Sequence, residues 1–193
     1  MTDIFAWECS PVRGVASFTT LKGVDGQVAI DIIRGRAIED PFPTGAFFEM
    51  DADFRRDVKL SDQHLTGEGG MVLIGPAPAE FIRSRELPNV RLLPVSLHDH
   101  KGRIASEHHH LLHTTTIIDC IDPQASGAMW NAIDPSLMAG WSELVLQPDL
   151  DPLPPLFRAK HVEHLIFLRE DLASALGSAG FEGTCVLDLD EVH

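Results

Sequence analysis

The chain has 193 residues, of which 44% are hydrophobic, and this composition suits one globular domain with a sizeable core. Its formal net charge of −14 repels nucleic acid and anionic membranes and attracts a basic partner. No apolar run approaches the ~20 residues that a membrane-spanning helix needs.

The N-terminal stretch MTDIFAWECSPVRG lacks a basic region followed by an apolar one. We therefore expect no signal peptide and a cytoplasmic location. The three cysteines, Cys9, Cys120 and Cys185, are widely spaced and odd in number. This pattern argues against a disulfide framework or a Cys-based zinc site, so we expect buried or half-buried free thiols.

The N-terminal part of the chain predicts two short strands, over residues 15–20 and 28–33, with Gly23 and Gly26 between them. Apolar residues alternate in the second run, which favours a strand with one buried face. The sequence GEGG at residues 67–70 is followed by no Lys-Ser or Lys-Thr pair. Nucleotide binding is therefore not expected.

A long β-hairpin dominates the middle of the chain. Two β-prone runs, residues 90–97 and 108–118, flank a polar turn centred on His100-Lys101-Gly102. Both faces of the first run are apolar, so we expect the hairpin from Val90 to Ile118 to lie centrally in its sheet. A buried strand over residues 71–74 and a short helix over residues 78–86 are predicted before it.

The chain beyond the hairpin contains further predicted elements, identified by apolar periodicity and by turn residues. They are a turn over residues 124–127 capped by Asp122, strands over residues 141–146, 163–168 and 183–189, and a helix over residues 169–179 that ends at a left-handed Gly180. Strands and helices mix without regular alternation, which predicts an α+β fold. We expect one domain over residues 1–193, with two or three helices packed on a mostly antiparallel sheet.

Six histidines fall within the sixteen residues from His98 to His113. Imidazole is the commonest metal ligand in proteins. In a strand, His108 and His110 should share one face, and His98 or His100 could lie opposite them across the hairpin. A three-histidine metal site is therefore a possible geometry, and its candidate ligands are His98, His100, His108 and His110. A solvated histidine-rich edge explains the same pattern without a metal.

Other motifs of catalysis are missing from the sequence. There is no HExxH motif and no GxSxG nucleophile elbow. Cys120 lies near His113 in sequence, but a cysteine that ends an apolar strand is usually part of the core. We therefore assign no catalytic residue and no cofactor, and we expect a protein that is not an enzyme.

Three segments, RLLPVSLHDHKGRI, LLH and IIDCIDPQAS, resemble a family of small bacterial proteins. That family is the eleventh group of immunity proteins of polymorphic toxin systems. The resemblance covers roughly residues 71–187, whereas the first ~70 residues match poorly. His108-His109-His110 stands where the family tends to have aromatic residues. The matching positions are Leu93-Pro94-Val95, Lys101-Gly102, Asp119 to Asp122, Ser126, and Leu156-Phe157-Arg158.

The resemblance implies a binding protein that neutralises a cognate toxin domain by direct contact, and it supplies no catalytic residues. The net charge of −14 favours a basic toxin, because complementary fields speed encounter. Two alternatives stay open. One is a metal-dependent hydrolase built on the histidine cluster. The other is a pH-responsive binding module, because ten histidines could gain charge near pH 6.

Overall fold

The computed structural model describes residues 3–150 and 152–192, which form two five-stranded sheets, a two-stranded sheet and three α-helices. The α+β fold predicted from the sequence is confirmed. The helices are α1 (Gly26–Ile33), α2 (Pro76–Arg83) and α3 (Glu170–Ala179). The strands are β1 (Ile4–Cys9), β2 (Phe47–Glu49), β3 (Gln63–His64), β4 (Val72–Ile74), β5 (Val90–His98), β6 (Ile104–Thr114), β7 (Ile117–Ile118), β8 (Met129–Trp130), β9 (Met138–Gly140), β10 (Leu156–Ala159), β11 (Phe167–Arg169) and β12 (Thr184–Asp188).

The strands divide between two large sheets, where the sequence had suggested one. The first sheet has the order β12-β1-β11-β10-β7, and the second has the order β2-β5-β6-β4-β3. Each is antiparallel apart from one parallel pair, β10 with β7 and β2 with β5. The predicted hairpin forms β5 and β6, whose position inside the second sheet confirms that it is central.

Alternation along the strands separates three hydrophobic cores, because successive side chains point to opposite faces of a sheet. In β6, Leu111 packs into a first core together with α1, and its neighbour Leu112 packs into a second core. In β1, Trp7 joins that second core, and Ala6 joins a third core on the other face of the first sheet. The second core also holds α2 and α3, so it binds both sheets into one folded unit.

The helix ends follow the local sequence. Proline lacks a backbone N–H and is tolerated in a first helical turn, and α2 begins at Pro76. Gly180 ends α3 with φ of 66°, the left-handed conformation that the sequence predicted. Phe181 then packs edge-on against Phe81 of α2, with ring centroids 5.7 Å apart. The predictions for α2, α3 and β12 are therefore confirmed within a few residues.

Four predicted strands are wrong or too long. Residues 28–33 belong to α1, because the Asp25 side chain accepts a hydrogen bond from the Gln27 backbone N–H and starts a helix there. Residues 15–20 make only isolated bridges, through Val15 and Phe18. Residues 141–146 form bends with one bridge at Leu146, and β11 begins only at Phe167, after a turn.

Candidate functional site

The histidines of β6 alternate between the protein interior and its surface, as the strand pattern predicted. His109 and His113 are buried, whereas His108 is exposed and His110 is half-buried. Burial lowers the pKa of His109 to about 4, with a further contribution from nearby His64. Two of the clustered histidines, His109 and His113, therefore belong to the protein interior.

His64 and His109 form a buried pair with ring centroids 5.4 Å apart. The His64 Nδ1–H donates to the Ala16 carbonyl at 2.9 Å, and its Nε2 accepts from the Ser61 backbone N–H at 3.1 Å. These two bonds hold the His64 ring in its neutral form. Burial also lowers the pKa of His64. Near neutral pH the pair is therefore uncharged.

The four candidate metal ligands do not converge. His98 stacks on Phe47 with ring centroids 4.4 Å apart and lies 3.3 Å from the Ser96 hydroxyl through Nε2. Its partner in the ladder is Ile104, six residues before His110. Within residues 3–150 and 152–192, no three His, Cys, Asp or Glu side chains come together in a way that could hold a metal ion. The metal-hydrolase alternative therefore has no ligand set in the described part of the chain.

A second buried polar cluster surrounds Arg158 of β10, which is fully buried. Its guanidinium donates to the main-chain carbonyls of Glu163 at 2.6 Å, Ile32 at 3.1 Å and Gly70 at 3.4 Å. These carbonyls belong to three segments that are distant in sequence: the turn before β11, α1, and the loop before β4. Arg158 therefore ties these segments together.

Arg158 also sets the electrostatics of its surroundings. Burial lowers its own pKa to about 10, which leaves the guanidinium charged at neutral pH. Burial and the Arg158 charge lower the pKa of His113 to about 4, and they also lower that of His164. Gly35 makes room for the arginine, since a Cβ there would lie 2.7 Å from Arg158 Cδ and 2.8 Å from the Thr114 carbonyl oxygen. The cluster is enclosed and has the features of a structural anchor.

Exposed apolar side chains lie beside two of the pockets in the described part of the chain. One is an apolar pocket of about 200 Å³ beside Cys9, whose rim includes Phe54 and Leu65. The other is an open pocket of about 540 Å³ beside the β8–β9 hairpin. Its lining residues are Asp122, Pro123, Gln124, Gly127, Ala128 and Trp130. Exposed apolar groups next to a pocket are typical of binding surfaces.

The β8–β9 hairpin beside the 540 Å³ pocket displays three exposed apolar side chains. Met129 is 62% exposed, Trp130 46% and Ile133 95%. The Asn131 side chain accepts hydrogen bonds from the backbone N–H groups of Ile133 and Asp134 and so fixes the hairpin tip that displays Ile133. Trp130 lines the 540 Å³ pocket, and Met129 and Ile133 are exposed in the same β8–β9 hairpin. We call this hairpin together with the pocket the Trp130 surface.

The segment of the chain that carries the Trp130 surface is acidic. Residues 104–157 contain no lysine or arginine at all. Asp119 pairs with Lys160 at 2.6 Å and Asp134 pairs with Arg34 at 2.7 Å, so two of the carboxylates are neutralised from outside the segment. The described ion pairs do not include Asp122 or Glu143. The Trp130 surface therefore combines apolar side chains with negative charge.

The floor of the pocket is a rigidly bonded turn, as predicted for Asp122. Asp122 Oδ1 accepts from the backbone N–H groups of Gln124 and Ala125, each at 3.0 Å. The buried Ser126 hydroxyl donates to the Asp122 carbonyl at 2.7 Å and accepts from the Val145 N–H at 3.0 Å. These bonds tie the turn to the neighbouring segment, so the pocket is held in shape before any partner arrives.

No protein-family model matches this chain, and no curated protein matches it. In the described part of the chain, every helix is too short or too polar to cross a membrane. The exposed positions of Trp130, Met129 and Ile133 were not predicted from the sequence. The signal that could have found them is the long run without lysine or arginine, which coincides with apolar residues outside any amphipathic pattern.

Proposed function

We propose that this chain is an immunity-type protein that binds a cognate toxin domain in the cytoplasm and blocks it by occlusion. Two observations support the proposal. The segments from Leu93 to Arg158 resemble the eleventh immunity family, and the Trp130 surface has the composition of a protein interface. The Trp130 surface is the observation that carries the proposal within the structure.

The Trp130 surface suits a protein partner for physical reasons. Tryptophan and methionine are enriched where proteins meet, and tryptophan is among the residues that contribute most binding energy. A side chain as exposed as Ile133 gains by being covered, at roughly 25 cal/mol per Å² of apolar surface. The acidic surroundings favour a basic partner and speed its approach.

The test is protection in cells. The product of the neighbouring gene, as the candidate toxin domain, is expressed from an inducible promoter, with or without this protein on a second plasmid. We expect growth arrest with the toxin alone and restored growth with both. Co-purification through a tag on the toxin domain then measures direct binding. Absence of both protection and co-purification would overturn the proposal.

A matched control separates binding from a general effect of expression. An unrelated acidic protein of similar size, expressed at the same level, should leave the arrest unchanged. A second control uses a toxin domain of another kind, which this protein should fail to neutralise if occlusion is specific. Rescue in either control would point to a nonspecific electrostatic effect.

A further inference from the structure

We propose that the pocket beside Trp130 receives an arginine side chain of the partner protein, with the guanidinium stacked on the indole and paired with Asp122. The inference rests on the proposed function and deepens it, since it names the surface and the chemistry of recognition. Asp122 and Trp130 line the same open pocket of about 540 Å³. A tryptophan and a carboxylate that line one pocket are a combination suited to a planar cation.

The carboxylate has capacity left for a ligand. Asp122 Oδ1 accepts the two backbone N–H groups of the turn, and neither bond uses Oδ2. An ionised carboxylate has about four lone-pair sites. A guanidinium N–H can therefore bind Oδ2 while the turn keeps its own bonds.

The indole is free to act as the other wall of the site. The indole N–H of Trp7 donates to Gln63 Oε1, and that of Trp141 donates to the Val192 carbonyl, each at 2.8 Å. Trp130 is the exposed tryptophan of the three. His161 packs edge-on against its ring, with centroids 5.1 Å apart and an interplanar angle of 88°. This contact holds the ring in place, so little side-chain freedom is lost on binding.

Charge complementarity selects the occupant. Residues 104–157 lack lysine and arginine, and the whole chain carries −14. A purely apolar segment would leave Asp122 Oδ2 beside it without a hydrogen-bond donor, which costs free energy when water is excluded. Lysine would satisfy the charge but lacks the planar group that stacks on indole and forms paired hydrogen bonds. Arginine can both stack on the Trp130 indole and form hydrogen bonds with the Asp122 carboxylate.

The test uses the full-length protein and the toxin domain encoded by the neighbouring gene, with affinity measured by titration calorimetry. Trp130→Ala removes the stacking face, and we expect affinity to fall at least tenfold. Asp122→Asn keeps an oxygen that can cap the turn but removes the charge, so we expect a threefold to tenfold loss and a weaker dependence on salt.

The matched control is Phe54→Ala, which removes an aromatic side chain that is 54% exposed on the other surface. Its affinity for the toxin domain should stay within twofold of the wild type. Thermal unfolding of each variant confirms that it is folded, and Trp130→Phe provides a milder replacement that keeps an aromatic face. We expect Trp130→Phe to bind better than Trp130→Ala.

A double-mutant cycle identifies the occupant. Each surface arginine of the toxin domain is changed to lysine, and one of these changes should weaken wild-type binding but have no further effect in Trp130→Ala. If the wild type binds and Trp130→Ala binds equally well, the inference is overturned while the proposed function stands. If Trp130→Ala weakens binding but no arginine couples to it, the occupant is apolar and the inference is also overturned. If the wild-type protein neither binds nor protects, the proposed function fails and takes the inference with it.

Discussion

The β6 histidines and the Trp130 surface differ in whether their side chains are accessible to a partner. His109 and His113 are chemically versatile side chains, yet they lie in the interior with pKa values lowered to about 4. Trp130 and Ile133 do not titrate, yet both are exposed in the β8–β9 hairpin, and Trp130 lines a pocket there. Placement, more than chemical type, decides which of the two regions can meet a partner.

The Arg158 cluster and the Trp130 surface should also differ in their contribution to stability. The interior cluster around Arg158 uses a buried charge and main-chain carbonyls to join distant segments, so its loss should lower the free energy of unfolding. The Trp130 surface contributes little to the core, so its loss should affect binding alone. Each variant below is chosen to separate stability from binding, and they run from the largest expected effect to the smallest.

Arg158→Met should be the most damaging substitution. It removes the guanidinium from three main-chain carbonyls, of which Ile32 keeps a backbone bond from Gly35 while Glu163 and Gly70 lose the donor that Arg158 supplied, and it leaves the buried site without its charge. We expect the free energy of unfolding to fall by about 3–5 kcal/mol, measured by urea denaturation. The matched control is Arg103→Met, whose side chain is largely exposed in a surface pair with Asp99, and its unfolding midpoint should barely move. Equal midpoints for the two variants would contradict the anchor role of Arg158.

Lowering the pH should reduce the free energy of unfolding, because the buried His109 and His113 resist protonation in the folded protein. Burial holds the pKa of His109 and His113 in the folded protein at about 4, below the ordinary histidine pKa of about 6.5, so the unfolded chain binds protons first as pH falls. The stabilisation is complete above pH 6.5 and is lost progressively down to about pH 4. Between pH 7 and pH 5 we expect a loss of about 2 kcal/mol for each histidine, measured by urea unfolding at both values.

The control for this pH effect is His113→Leu, since neither ring nitrogen of His113 has a hydrogen-bond partner in the described chain. Leucine cannot be protonated, so the unfolding free energy of the variant should change less between pH 7 and pH 5. His108→Leu changes an exposed neighbour and should leave the pH dependence unaltered. A wild-type protein equally stable at both pH values would contradict the prediction.

Gly35 and Gly102 both have a left-handed backbone, but only Gly35 has other atoms close to where a Cβ would lie. A Cβ at Gly35 would meet Arg158 and the Thr114 carbonyl, whereas a Cβ at Gly102 in the hairpin turn would meet nothing within 4 Å. Gly102→Ala should cost only the conformational strain of about 1–2 kcal/mol. Gly35→Ala should lower the free energy of unfolding further, by denaturant titration. An equal loss of unfolding free energy at the two sites would show that Arg158 and its neighbours can shift to accommodate a Cβ at Gly35.

Ile133→Ser should have the smallest effect on stability. Its side chain is 95% exposed, so the unfolding free energy should change by less than about 0.5 kcal/mol. Affinity for the toxin domain should nevertheless fall, by a smaller factor than for Trp130→Ala. Analytical ultracentrifugation should show the variant in the same state as the wild type. A large loss of stability would show that Ile133 has a structural role.

Local patterns predicted much of the fold. Gly180, Pro76 and Asp122 occupy positions that follow from backbone geometry alone, and the hairpin follows from two β-prone runs around a polar turn. Helix α1 was missed because Val28, Ile30, Ile32 and Ile33 are β-branched or alternate like a strand, while the decisive signal was the capping residue Asp25. A cap outweighs weak strand propensity when the helix can bury Ala29 and Ile32.

The division into two sheets and the position of Arg158 could not be derived from the sequence. Both depend on pairings between segments that are far apart, such as Ile32 with Arg158, which local periodicity does not encode. The same is true of the histidines. Their alternation along β6 was predictable, but which face is the interior depends on what packs against each side of the sheet. The pocket at Trp130 likewise depends on the turn and the hairpin meeting in space.

Strand β1 lies between β11 and β12, so the first described strand of the chain is held by two of its last. During synthesis β1 has no partner until Phe167–Arg169 and Thr184–Asp188 have left the ribosome, which takes roughly ten to thirty seconds at cellular rates of translation. The second sheet, whose strands all lie between Phe47 and Thr114, can assemble earlier. An unpaired, apolar β1 therefore persists in the nascent chain after every strand of the second sheet has been synthesised, and its pairing with β11 and β12 closes the first sheet.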